Sequence, residues 1–149
     1  MKRAGKFLAF CLENEYYAVE MESAVEIMRV CEITRIPLAP PFVKGVINLR
    51  GSIVPLLDLK VKFGFGQKEY GEKACIIIIE TVSDGKKKLA GILADTVLEV
   101  LEIVPDEIKK PPQAINSEYI KGIFSALDKT FWLLELDNAL SFDDANLND

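Results

Sequence analysis

The side chains that most often carry chemistry are sparse in this chain. There is no histidine, which removes His-dependent triads, imidazole metal ligands and the commonest general base. Three cysteines, Cys11, Cys31 and Cys75, are scattered without C-x-x-C spacing, so neither a zinc site nor a disulfide framework is indicated. Each stands among apolar neighbours, where a free thiol behaves as a small hydrophobe, and all three are expected to be buried and unpaired in a reducing compartment. Ser23, Ser52, Ser83 and Ser125 have no imidazole to activate them. Ser83 and Lys86 spell S-x-x-K, but across a glycine turn and without the partner motifs, so the match is read as chance. Gly64-Phe65-Gly66 lacks the third glycine and the long helix of a nucleotide fingerprint, and no phosphate-loop motif occurs. Acid pairs such as Asp143-Asp144 fall in a polar tail. No set of residues for an enzyme is assembled, no metal or cofactor is expected, and a binding or scaffold module is left.

The elements that must position any binding residues read as short strands. Phe7–Leu12 and Tyr16–Met21 form a hairpin around Glu13-Asn14-Glu15, with Leu8, Phe10 and Leu12 on one face. Ser23 and Glu26 fit the capping box S-x-x-E and predict a short helix through Ile27 and Met28. Val30–Ile36 reads as a strand stopped by Pro37. Phe42-Val43-Lys44 reads as a helical turn, followed by strands Gly45–Leu49 and Ile53–Leu57 around Arg50-Gly51-Ser52. Pro55 marks the second of these as an edge or bulged strand. Asp58 can cap a helix over Leu59–Phe63, ended by Gly64. Ile76-Ile77-Ile78-Ile79 is a β-branched run typical of a strand buried on both faces. Leu89–Ala94 is a further strand, with Lys86-Lys87-Lys88 a solvated flank of the turn before it. Tyr119–Leu127 and Thr130–Leu136 form a last hairpin, followed by a helical turn near Asp137–Leu140.

A length of 149 residues fits one domain, perhaps two-lobed, with enough surface buried for a real core. Hydrophobic residues at 50% and charged residues at 28% give an ordinary globular balance. The net charge of −5 argues against nucleic acid as a partner. Phe7–Leu12 is too short for a signal-peptide core, and no window approaches the ~18 apolar residues of a membrane span. The protein is expected in the cytoplasm. Short strands at roughly 8–12-residue spacing indicate a small β-barrel or sandwich rather than an α/β fold.

The most specific stretch is Gly45-Val46-Ile47-Asn48-Leu49-Arg50-Gly51-Ser52-Ile53-Val54-Pro55-Leu56-Leu57-Asp58-Leu59. It closely resembles the G-V-x-N-L-R-G-x-I-x-P-x-x-D-L signature of the CheW family, the coupling proteins of bacterial chemotaxis. The resemblance continues upstream through Phe7-Leu8-Ala9-Phe10, Val25-Glu26-Ile27 and Ile33-Thr34-Arg35-Ile36-Pro37. Downstream it continues through Gly91–Val100 and Leu133–Asp137, so it spans about Phe7 to Leu140. Lys60 departs from it, standing where Arg is common after D-L, and the turn Ser83–Lys88 is longer than in compact members.

The resemblance implies a mainly β, CheW-like fold: two small SH3-like β-barrel subdomains with short helices and a hydrophobic junction between them. The expected domain covers 6–142, with subdomain 1 at about 6–40 plus 112–142, subdomain 2 at about 41–111, and a flexible tail over 143–149. It also implies a non-enzymatic adaptor that couples chemoreceptor cytoplasmic tips to the CheW-like regulatory domain of the histidine kinase CheA. The partners expected are CheA and methyl-accepting receptors in membrane-associated arrays, without nucleic acid and without membrane insertion. A coupling protein of another chemosensory pathway, such as pilus-based motility, is the alternative. Receptor-binding residues are expected at Glu26, Ile27, Arg50, Val97 and Val100, and a kinase patch at Lys44, Gly45 and Ile76. Arg50 stands beside Gly51 in a turn that needs no charge, where its fork could pair with Glu26 or with a partner carboxylate.

Overall fold

The computed structural model describes residues 3–112 and 118–141; the expected tail over 143–149 lies outside them. Among the described residues, ten strands and two single-turn α-helices follow one another, with two 3-10 turns between them. Strands β1 (Gly5–Leu12), β2 (Glu15–Glu20) and β3 (Ala24–Arg29) come first, then β4 (Val43–Leu49), β5 (Ser52–Leu57) and helix α1 (Leu59–Lys62). They are followed by β6 (Cys75–Ser83), β7 (Lys86–Ala94), β8 (Thr96–Ile103), β9 (Ile120–Ala126), β10 (Lys129–Leu134) and helix α2 (Leu136–Ala139). The strands make two five-stranded sheets, ordered β8-β1-β2-β10-β9 and β3-β6-β7-β5-β4. Thus β3 hydrogen-bonds into the second sheet and β8 into the first.

Four tight turns set the registers. Glu13-Asn14, Arg50-Gly51, Asp84-Gly85 and Leu127-Asp128 each place both residues at positive φ, between 50° and 87°. Two left-handed residues in a two-residue loop give the turn whose twist matches antiparallel strands. Alternation then sorts side chains into three cores. Leu8, Phe10 and Leu12 face a central core shared with Tyr17, Val19, Leu57, Ile77, Ile79 and Ile92, so both sheets contribute. Phe7 and Ala9 face a second core with Leu101, Ile103, Phe124 and Phe131. Ile76 and Ile78 face a third, with Ile47, Val54, Leu56 and Leu93. The isoleucine run is therefore buried on both faces, as its composition indicates.

Several expectations are corrected. The sheets are not SH3-like barrels: the ladders of the described strands close neither sheet. Each sheet instead curls over its own core, to which both of its outermost strands contribute: β8 and β9 supply Leu101, Ile103 and Phe124 to one, and β3 and β4 supply Met28 and Ile47 to the other. The capping box is also overruled. Only Met21–Ser23 makes a helical turn, and the next six residues join the sheet as β3. There Val25 and Ile27 satisfy β preference and β6 supplies the ladder. Val30–Ile36 makes one isolated bridge, Thr34 to Val46, and Val43 and Lys44 open β4 rather than a helical turn. Pro55 is not on an edge strand. It pairs with Val46 on β4, and the β7 pairing starts one residue later at Leu56, so its missing N–H costs no ladder bond on that side. Among the cysteines, Cys11 and Cys75 are half-buried and unpaired, but Cys31 is exposed because its segment crosses the surface outside any strand.

Candidate docking surfaces

The signature hairpin is built to carry a charge outward. In the β4–β5 turn, Asn48 Oδ1 accepts the Gly51 backbone N–H at 2.9 Å, which pins the loop. The Arg50 side chain remains 72% exposed and reaches the opposite edge of its curled sheet, where one guanidinium nitrogen donates to Glu26 Oε1 on β3 at 2.5 Å. Two of the expected receptor residues, 24 positions apart, are thus a salt bridge. It spans side chain to side chain the gap that the backbone ladder leaves open.

Among the described residues, both sheets leave one edge strand without a backbone partner on its outer side. The other two edges are partly covered by single bridges, Thr34 to Val46 on β4 and Lys109 to Ile123 on β9. The bare edges are β3 and β8, and each carries a bulge, at Val25 and within Val97–Val100 respectively. A bulge breaks alternation and re-aims side chains. On β8 this leaves Leu98, Glu99 and Val100 exposed in succession, whereas β3 alternates throughout and simply turns Val25 and Ile27 outward. Val97 behaves differently: it is half-buried against the central core. The start of β8 touches the second sheet at β6, where the Cys75 thiol, opposite Arg29 of β3, lies against the Val97 backbone N–H. Burial raises the pKa of that thiol, and the Val97 N–H works against the rise.

The expected kinase patch is split by depth. Ile76 is fully buried in the third core and presents nothing to a partner. Gly45 is buried too; a Cβ there would stand 2.3 Å from the Thr34 carbonyl oxygen, so the residue serves the close approach of the 33–34 segment. Lys44 is partly exposed, with its Nζ 3.8 Å from Asp58 Oδ2. Beside it lies a recess lined by Ile33, Arg35, Pro37, Leu38, Pro40 and Lys44. Leu38 at its rim is 93% exposed.

Between these surfaces sits a buried charged cluster that sequence reading missed. Lys60 in α1 is fully buried. Its Nζ lies 2.7 Å from Asp95 Oδ1 and 2.9 Å from Glu13 Oε1, donates to the Glu69 carbonyl at 3.1 Å, and stands 3.9 Å above the Tyr70 ring. Burial opposes the ammonium charge, but the hydrogen bonds and charges of Asp95 and Glu13 outweigh it and raise the Lys60 pKa. Asp58, also fully buried, caps α1 as expected, accepting the Lys60 backbone N–H at 3.1 Å and the Tyr70 hydroxyl at 2.6 Å. Burial first, then that hydrogen bond, pushes the Tyr70 pKa up. In the sequence Lys60 is one of two lysines in the turn Leu59-Lys60-Val61-Lys62, and nothing local marks it rather than Lys62 as the buried one.

Two curled sheets over a shared core, each with exposed apolar side chains on one edge strand and one of them beside an exposed ion pair, have the surface of a docking module. The CheW-like domain model matches residues 6–142, and the chain belongs to that family. It is 33% identical over 147 residues to the chemotaxis protein CheW of Klebsiella aerogenes, covering 97% of this chain and 86% of that one. It is 29% identical over 123 residues to the protein FrzA of Myxococcus xanthus, covering 81% of this chain and 74% of that one. Among solved structures it resembles the scaffolding protein TtCheW from Thermoanaerobacter tengcongensis, with a TM-score of 0.82 and 32% identity over 96% of this chain and 90% of that chain. The chain is accordingly a non-enzymatic chemotaxis adaptor of the CheW type, coupling receptors to the histidine kinase CheA. No helix among the described residues is long and apolar enough to cross a membrane.

Proposed function

We propose that the adaptor meets its receptor along the bare edges β3 and β8, with Ile27, Val97 and Val100 as the apolar seat and the Glu26–Arg50 pair as its polar rim. The observation that carries this reading is the coincidence of exposed apolar side chains, bulges and unpaired backbone on the same two strands. An exposed apolar strip of this kind is costly to leave in water and suits the apolar face of an amphipathic helix. The kinase side is assigned to Lys44 and the recess beside it, with Gly45 allowing the close approach of the 33–34 segment that borders it. Val100→Asp on β8 tests the first assignment and Leu38→Asp at the recess the second, in receptor-dependent CheA activation with separate binding titrations. Val100→Asp should weaken the receptor titration alone and Leu38→Asp the kinase titration alone. The opposite assignment, or no effect from either, would reject the surfaces.

A further inference from the structure

We propose that Lys60 is a positioning residue for the receptor face: it ties the start of β8 to both lobes and so fixes where that edge stands. The inference rests on the reading of β3 and β8 as the receptor face.

Lys60 belongs to the second lobe, following β5 directly. Its two carboxylate partners belong elsewhere. Glu13 is at the tip of the β1–β2 hairpin of the first sheet, and Asp95 is the single residue between β7 of the second sheet and β8 of the first. Asp95 is held on every side: its Oδ2 accepts the Glu13 backbone N–H at 2.8 Å, its own N–H donates to the Cys11 carbonyl at 2.9 Å, and its Oδ1 meets the Lys60 ammonium. The next residues are Thr96 and Val97, and three beyond them is the exposed Val100. One buried cation therefore grips the crossover at the point where the chain leaves one lobe and begins the edge strand of the other. An apolar side chain of similar length would fill the same space without holding either carboxylate. A buried polar network of this kind specifies one arrangement where apolar packing alone allows several.

The perturbation is Lys60→Met in the full chain. A companion, Glu13→Gln with Lys60→Met and Asp95→Asn, removes the stranded carboxylates so that a folded protein is available whatever the single variant does. Lys60→Arg keeps a cation within reach of both acids. Native-state hydrogen exchange should show the amides of Thr96–Val100 exchanging at least tenfold faster in the Lys60→Met proteins, over and above any change at Ile76–Ile79. Affinity for a receptor-tip fragment should fall tenfold or more, while affinity for the CheA regulatory domain stays within twofold, since Asp58 keeps Tyr70 and the residue-60 backbone N–H. Lys60→Arg should retain both affinities. Equal losses toward both partners, or β8 exchange that only follows the core, would overturn the proposal. Val100→Asp separates the two readings. If it weakens receptor binding while Lys60→Met does not, the positioning role alone fails; if it binds receptor normally, the receptor face itself is wrong.

Discussion

Replacing Arg50 by alanine separates a binding role from a folding role because the geometry keeps the folding term small. At 2.5 Å from Glu26, two full charges would attract by about 1.7 kcal/mol in bulk water before screening and side-chain entropy are counted. With the Arg50 side chain 72% exposed, the pair belongs with surface ion pairs, which contribute about 0.2–1 kcal/mol. Nothing is buried by Arg50 that alanine would uncover, and the left-handed backbone at φ 50° is no better for alanine than for arginine. For a chain of this size a loss of 1 kcal/mol lowers Tm by about 2–4 °C, so Arg50→Ala should move the melting curve by less than about 4 °C. At an interface the same guanidinium makes charge-assisted contacts of about 1.5–3 kcal/mol, a loss of roughly 10- to 150-fold in affinity. Arg50→Lys should recover only part of it, since an ammonium lacks the planar fork. The assay is receptor-dependent CheA activation in a reconstituted array beside a melting curve, with Glu26→Ala and the double variant completing a cycle. Normal activation by Arg50→Ala refutes the binding role, and a drop in Tm beyond about 8 °C refutes the claim that Arg50 is dispensable for folding.

The shared core gives a second prediction: Ile77→Ala, at a fully buried position, should cost about 2–5 kcal/mol in urea unfolding. Leu127 occupies a left-handed turn position that costs a branched side chain about 1–2 kcal/mol, so Leu127→Gly should raise the urea midpoint, and an unchanged midpoint would contradict that strain. In the folded protein Cys31 should label with a thiol reagent first, because Cys11 and Cys75 are half-buried and burial raises their pKa. For alkaline unfolding, burial and then the nearby Glu15 push Tyr17 up to about 12 from 10.0, and Lys60 is raised as well. Both groups hold protons more tightly when folded, so their contribution is complete below pH 10 and is lost as pH rises through the folded values; urea midpoints should fall between about pH 10 and 12.

Local pattern carried most of the strands. The four turns carry Asn, Gly or Asp at one or both positions, as left-handed loops favour, and Ile76–Ile79 announces its double burial by composition alone. What was not legible depended on partners distant in the chain. Ser23-x-x-Glu26 is a sound helix start in isolation, yet β6 offers Ala24–Arg29 a ladder broken only at Val25, and the edge position wins. Open curled sheets and closed barrels share the same strand lengths, so the difference lies only in whether β3 and β4, or β8 and β9, exchange backbone bonds. At the docking surfaces, Glu26 and Arg50 were paired by their types, whereas Ile76, expected in the kinase patch, is fully buried, as the doubly apolar run it belongs to already indicates. The burial of Lys60 needed three separate segments to converge, which no window of sequence contains.

The bulges at Val25 and within Val97–Val100 also govern what the adaptor avoids. A bare, flat, apolar edge is a template for strand addition, and copies crowded together would extend one another's sheets without limit. An extra residue in each edge puts the next pair of donors and acceptors out of step, so a foreign strand finds only a few consecutive bonds before the ladder fails. Glu99 and Glu102 on β8 add like-charge repulsion between two such edges. A partner that brings its own completed backbone hydrogen bonds, as a helix does, loses nothing to the irregularity. On β8 the same defect that leaves Leu98 and Val100 exposed thus works against strand addition between neighbouring adaptors.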